Sequence, residues 1–158
     1  MRGTRLGHLY KLVNGNTQGG SHDIKDVLVN NEYYPASGSY IDVSDCERVH
    51  VLIQLGELAD NITFELYESD SASGTEDQIS ATYYKVTTTG GSDDTDEGVY
   101  ACITIEVSRL STDHHYLTTK VGGVTGSNYA AITYFLETGN LPETGGDLDT
   151  SLVGYYSG

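Results

Sequence analysis

Two histidines beside an aspartate, Asp113-His114-His115, could do metal chemistry, since imidazole nitrogens and a carboxylate together ligate transition metals. Their spacing argues against it. Neighbours on a strand point to opposite faces, so both rings cannot reach one ion without a bulge, and no third ligand is placed by the sequence. The residues read as a polar loop edge entering a strand. Asp93, Asp94, Asp96 and Glu97 could offer oxygens to calcium, but the position eleven after Asp94 is Ile105, where an EF-hand needs Glu. Loop 92–97 therefore reads as solvated and acidic, with a bound cation left open.

Covalent catalysis finds no support. A serine or cysteine nucleophile needs a positioned base, and no Gly-x-Ser-x-Gly string is present. No glycine-rich loop leads through a lysine into a helix to cradle a phosphate. Among 23 Asp and Glu, no carboxylate pair stands out for hydrolysis. Cys46 and Cys102 have no Cys-x-x-Cys partner and read as two free thiols, although one disulfide between them stays open. Leu141-Pro142-Glu143-Thr144-Gly145 matches a sortase sorting string, but a short acidic stretch follows where that signal needs an apolar span and a basic tail. The reading is non-enzymatic, with no cofactor and no metal.

The elements that must carry these residues are strands. Val49, Val51, Ile53 and Leu55 alternate with polar neighbours, as do Ile62, Phe64 and Leu66. Val99, Ala101, Ile103, Ile105 and Val107 form the cleanest alternation, which puts Tyr100, Cys102 and Thr104 on the opposite face. Adding 40–43, 78–86, 115–121 and 129–136 predicts about seven or eight strands of an all-β, antiparallel, jelly-roll-like sandwich. The domain spans 39–138, preceded by an extended N-terminal arm and lead-in at 1–38 and followed by a Gly/Asp-rich tail at 139–158. Within the lead-in, 23–34 reads as a short strand or edge segment.

Charge narrows the function. The 158 residues carry 8 Lys+Arg and 23 Asp+Glu, a net charge of −15, which disfavours nucleic acid and anionic membrane surfaces as partners. The basic start, Met1 to His8, is not followed by the apolar stretch of a signal peptide. Three cations, Arg2, Arg5 and Lys11, fall in the first 22 residues with no acid. The rest of the chain holds five cations against 23 acids, or −18. The 13 Tyr include the doublets Tyr33-Tyr34, Tyr83-Tyr84 and Tyr155-Tyr156, and tyrosine is enriched at interfaces because it combines contact area with a polar tip.

An ordered set of motifs resembles the small β-sandwich decoration, or cement, proteins of tailed-phage capsids. These are Ser39-Tyr40-Ile41-Asp42-Val43-Ser44 before Glu47-Arg48-Val49, then Ile53-Gln54-Leu55-Gly56-Glu57-Leu58, then Thr63-Phe64-Glu65-Leu66-Tyr67-Glu68-Ser69-Asp70. The loop Ser71-Ala72-Ser73-Gly74, His115-Tyr116-Leu117 and the turn 122–126 complete the set, which covers about two thirds of the chain, 39–136. The resemblance implies a structural virion protein, made in the host cytoplasm and bound as a homotrimer to the major capsid protein on the capsid surface. It assigns the arm, with Arg2, Arg5 and Lys11, to capsid or subunit contacts, and the doublet Tyr33-Tyr34 joins them as candidate contact residues on its interface character. A head–tail or tail-surface role is the nearest alternative. A carbohydrate-binding module or adhesin is the alternative from another class, ranked lower because the chain has no Trp.

Overall fold

Alternating valine and isoleucine zip into ladders because branched side chains pack well on a pleated surface with one face buried. A computed structural model describes residues 10–15, 26–79, 84–91, 96 and 98–138. They form eleven strands: β1 (Tyr10–Asn14), β2 (Asp26–Val27), β3 (Tyr33–Tyr34), β4 (Ile41–Asp42), β5 (Cys46–Leu58), β6 (Thr63–Ser69), β7 (Asp77–Gln78), β8 (Lys85–Thr87), β9 (Tyr100–Glu106), β10 (Tyr116–Gly122) and β11 (Asn128–Thr138). One 3-10 turn, Val107–Arg109, follows β9. Among the described residues no helix is long and apolar enough to cross a membrane.

Six of the short strands lie end to end in pairs. β1 and β2 run along β11, β3 and β4 along β10, and β7 and β8 along β6, all antiparallel. Eleven segments thus fill eight strand positions in two four-position sheets, β1/β2-β11-β5-β9 and β3/β4-β10-β6-β7/β8. The first position pairs with the last, the second with the seventh, the third with the sixth, and the fourth with the fifth. That is an antiparallel ribbon rolled over on itself, the jelly-roll connectivity expected of a two-sheet, eight-strand sandwich.

The sandwich starts earlier than residue 39. β1 is zipped to β11 from Tyr10 opposite Glu137 to Asn14 opposite Thr133, and Leu28 and Tyr34 are core residues. Strands of two to five residues hold too few alternations to show a period, so composition alone made them look like an arm. The stretch 78–86 likewise holds two strands instead of one. Gln78 faces Tyr67 and Lys85 faces Glu65, so seven residues of advance on one side match two on the other.

Between the sheets lie Val49, Val51, Ile53 and Leu55 of β5, Phe64 and Leu66 of β6, Ile103 and Ile105 of β9, Leu117 and Val121 of β10, and Ile132 and Leu136 of β11. One polar group bridges this layer. Tyr134 of β11 is fully buried, and its hydroxyl donates to the Tyr34 carbonyl of β3 at 2.6 Å. A carbonyl cannot donate and that hydroxyl has one proton, so the buried Thr119 hydroxyl of β10, also at 2.6 Å, donates to Tyr134. Burial raises the Tyr134 pKa well above the ordinary phenol range, which keeps the donor protonated.

A second lock closes one end of the sandwich. The Asp60 carboxylate, in the β5–β6 turn, accepts from Thr125 N at 2.8 Å, Thr125 Oγ1 at 2.5 Å, Gly126 N at 2.6 Å and Asn128 Nδ2 at 2.7 Å. Asn128 Oδ1 reciprocates, accepting from Ala59 N at 2.8 Å and Asp60 N at 2.9 Å. Gly123 (φ 84°) lets the β10–β11 turn pass this close, since a Cβ there would sit 2.4 Å from the Asn61 carbonyl oxygen. Hydrogen bonds from Thr125, Gly126 and Asn128 hold the Asp60 carboxyl well below the usual carboxylate range.

Tyr134→Phe is expected to cost roughly 1–3 kcal/mol in urea unfolding, because it strands a buried carbonyl and a buried hydroxyl. A carboxyl whose pKa is lowered by folding contributes stability above its unfolded pKa, roughly 3.9, that is lost as pH falls through the folded value. Asp60→Asn is therefore expected to lower stability at neutral pH and to flatten the acid limb of stability against pH.

Candidate binding face

Period-2 geometry assigns each remaining side chain to an outer face. On β10, Leu117, Thr119 and Val121 point into the sandwich, so Lys120 points out. Its neighbour on β3 is Tyr33, directly opposite, and its neighbour on β6 is Glu65, which places Tyr67 diagonally beside it. The Lys120 Nζ lies 5.5 Å from the ring centroids of both Tyr33 and Tyr67. The two rings meet edge to face, with centroids 5.5 Å apart at 81°. Tyr40 closes the cluster from below, 6.2 Å from Tyr33 at 63°, and its hydroxyl donates to Glu76.

Charge on this face is unevenly matched. Glu65 is engaged by Lys85 at 2.8 Å, and no carboxylate among the described residues forms an ion pair with Lys120. Elsewhere Arg48 sits between Glu106 and Glu137 at 3.7 and 3.3 Å. Lys120 is thus a cation held by two aromatic rings on an otherwise acidic body, and the rings restrict its stem before any ligand arrives. All three phenols stay protonated across neutral pH. Burial, then Glu76, pushes Tyr40 up to about 12; burial followed by Glu76 raises Tyr33, and burial followed by Glu65 raises Tyr67.

The residues expected to make contacts are separated by the fold. Tyr33 lies on the outer face in this cluster. Tyr34, its neighbour, is fully buried, and its hydroxyl accepts from Val29 N at 2.9 Å, so it offers no surface to a partner. The reason is the pleat, which sends adjacent residues to opposite faces. Lys11 belongs to β1, opposite Leu136 of β11. Arg2, Arg5, Tyr83, Tyr155, Tyr156, the string 141–145, the tail 139–158 and most of the acidic loop lie outside the described residues. Of that loop, Asp96 is described, and its Oδ2 accepts from Thr89 N at 2.5 Å. Tyr67 and Lys120 were missed as a pair, because parity shows that each faces out but not that they adjoin.

Asp113 and the two histidines sit at the opposite end of β10 from Gly122. Asp113 has a left-handed backbone (φ 68°) and His115 is exposed. His114 turns toward the buried Glu68, with Nδ1 3.5 Å from Oε1, while its Nε2 lies 3.9 Å from Asp77 Oδ2. Glu68 also accepts from Ser111 N at 2.8 Å and Ser111 Oγ at 2.5 Å, which pins this loop to β6. The carboxylates address different ring nitrogens, and among the described residues no three His, Cys, Asp or Glu side chains are arranged to hold a metal ion. Cys46 is half-buried, Cys102 is exposed, and the two are not joined by a disulfide.

No family model matches the chain, and no curated protein is significantly similar to it.

Replacing Glu76 by Gln removes the charge that Tyr40 faces and is expected to lower its pKa, so that tyrosinate absorbance appears at lower pH than in the wild type. An alkaline spectrophotometric titration of the two proteins checks this.

Proposed function

We propose that this chain is a non-catalytic structural subunit of a phage virion that binds the outside of the capsid through its Tyr33–Tyr67–Lys120 face and stiffens the shell. The carrying observation is that face: a lysine without a carboxylate partner among the described residues, held 5.5 Å from two half-buried tyrosine rings on the outer side of a sheet. Buried aromatic anchors with a fixed charge are the composition of interface hot spots. The resemblance to decoration proteins supplies the partner, the major capsid protein. The jelly roll alone does not choose among functions, since this fold hosts many.

The mechanism is burial shared between neighbours. A subunit seated across adjacent capsid proteins adds interfaces that must break before the shell opens, so stabilisation grows with occupancy. Arg2, Arg5 and Lys11 add attraction toward acidic patches of the shell, while the −18 of the remaining chain keeps free subunits apart. The tyrosines support contact with a protein better than stacking with a sugar, because rings at 81° share no flat platform.

The test is co-sedimentation with expanded heads assembled without this subunit. Saturable binding is expected, with Lys120→Glu and Tyr67→Ala each weakening it roughly tenfold or more. Failure to bind at any salt concentration, or binding that neither substitution weakens, would contradict the proposal.

A further inference from the structure

A strand at a sheet edge presents unpaired N–H and C=O groups, and proteins blunt such edges with short strands, lysine, proline or bulges. Three edges of this sandwich are blunted by length. β3, β4, β7 and β8 have two or three residues each, and β1 and β2 split their edge between five and two. The fourth edge is β9, which has seven residues in unbroken register with β5, from Glu106 opposite Arg48 to Tyr100 opposite Gln54. It contains no proline or lysine, and its one charge is Glu106.

The backbone of β9 is directed outward at alternate residues. Leu55 N donates to Val99 O at 3.0 Å, so alternation turns the amides of 101, 103 and 105 toward β5 and those of Tyr100, Cys102, Thr104 and Glu106 toward the open side. Among the described residues no strand pairs with that side. The same four side chains are exposed on the outer face, Tyr100 at 63 %, and Val99 beside them is 42 % exposed.

We propose that β9 joins two copies of this chain, edge to edge and antiparallel, about a two-fold axis through Ile103, a pairing that departs from the homotrimer implied by the resemblance to decoration proteins. Antiparallel pairing centred there uses the whole strand and brings its outward amides together. Cys102 then faces the partner's Thr104, and Tyr100 faces the partner's Glu106. The charge pattern selects a second copy as the occupant. The two Glu106 carboxylates fall at opposite ends of the pairing and never oppose each other, so two acidic bodies meet along uncharged residues. Ala101, Ile103 and Ile105 carry the core face of each sandwich across the junction. A two-fold pair is an isologous interface, which closes on itself and leaves no free edge on β9.

Sedimentation equilibrium of the full chain across the micromolar range is expected to show a species of twice 17.1 kDa. Thr104→Lys, at an exposed position, is expected to weaken association roughly tenfold or more through like-charge repulsion at the axis, with an unchanged circular dichroism spectrum. Facing residues in an antiparallel ladder have Cα atoms roughly 5.5 Å apart, within disulfide reach. Thr104→Cys is therefore expected to form a covalent dimer under mild oxidation that Cys102→Ser abolishes, and this arm decides if the lysine variant does not fold. A monomer at every concentration, a trimer, a dimer indifferent to Thr104→Lys, or no Cys102-dependent cross-link would overturn the proposal.

Discussion

Among the described residues, the Tyr134 hydroxyl is a buried polar group that reaches from one sheet into the other through the core. A phenol can carry a polar atom across the apolar layer between the sheets, which an aliphatic side chain cannot. Donating to the Tyr34 carbonyl and accepting from Thr119, it ties β11 to both β3 and β10. The same strand turns the Tyr34 side chain into the core, so Tyr33 has to stand on the outer face, opposite Lys120.

The two sheets expose different resources. The β3/β4-β10-β6-β7/β8 sheet places aromatic rings around a lysine, with its edges divided into short strands. The β1/β2-β11-β5-β9 sheet ends in one long, nearly uncharged edge. The Asp60–Asn128 lock ties the β5–β6 turn to the β10–β11 turn, both of which cross between the sheets. It thus holds these two surfaces in a fixed relation without adding to either. The two proposed contacts, with a capsid and with a second copy, thus use separate surfaces and do not compete.

Much of this architecture was legible in the sequence where burial imposes a period. The alternation from Val49 to Leu55 and from Val99 to Val107 marked β5 and β9, and parity correctly placed Cys102 and Tyr100 outward. What was not legible has a common cause: the information lies in pairing, not in the strand. β1, β2 and β3 are too short to show a period, and only their registers with β10 and β11 make them part of the sandwich. The adjacency of Tyr33, Tyr67 and Lys120 depends on three strands far apart in sequence. His114 reads as a possible ligand beside His115, yet the chain turns at Asp113 and sends it to Glu68 instead.

If the tyrosine–lysine face seats the subunit on a capsid, as proposed, cryo-electron microscopy of heads saturated with the protein will show density on the outer shell with Tyr33, Tyr67 and Lys120 against the capsid protein. Density at a head–tail junction or on the tail, or a capsid-bound subunit with this face turned to solvent, would overturn the proposal.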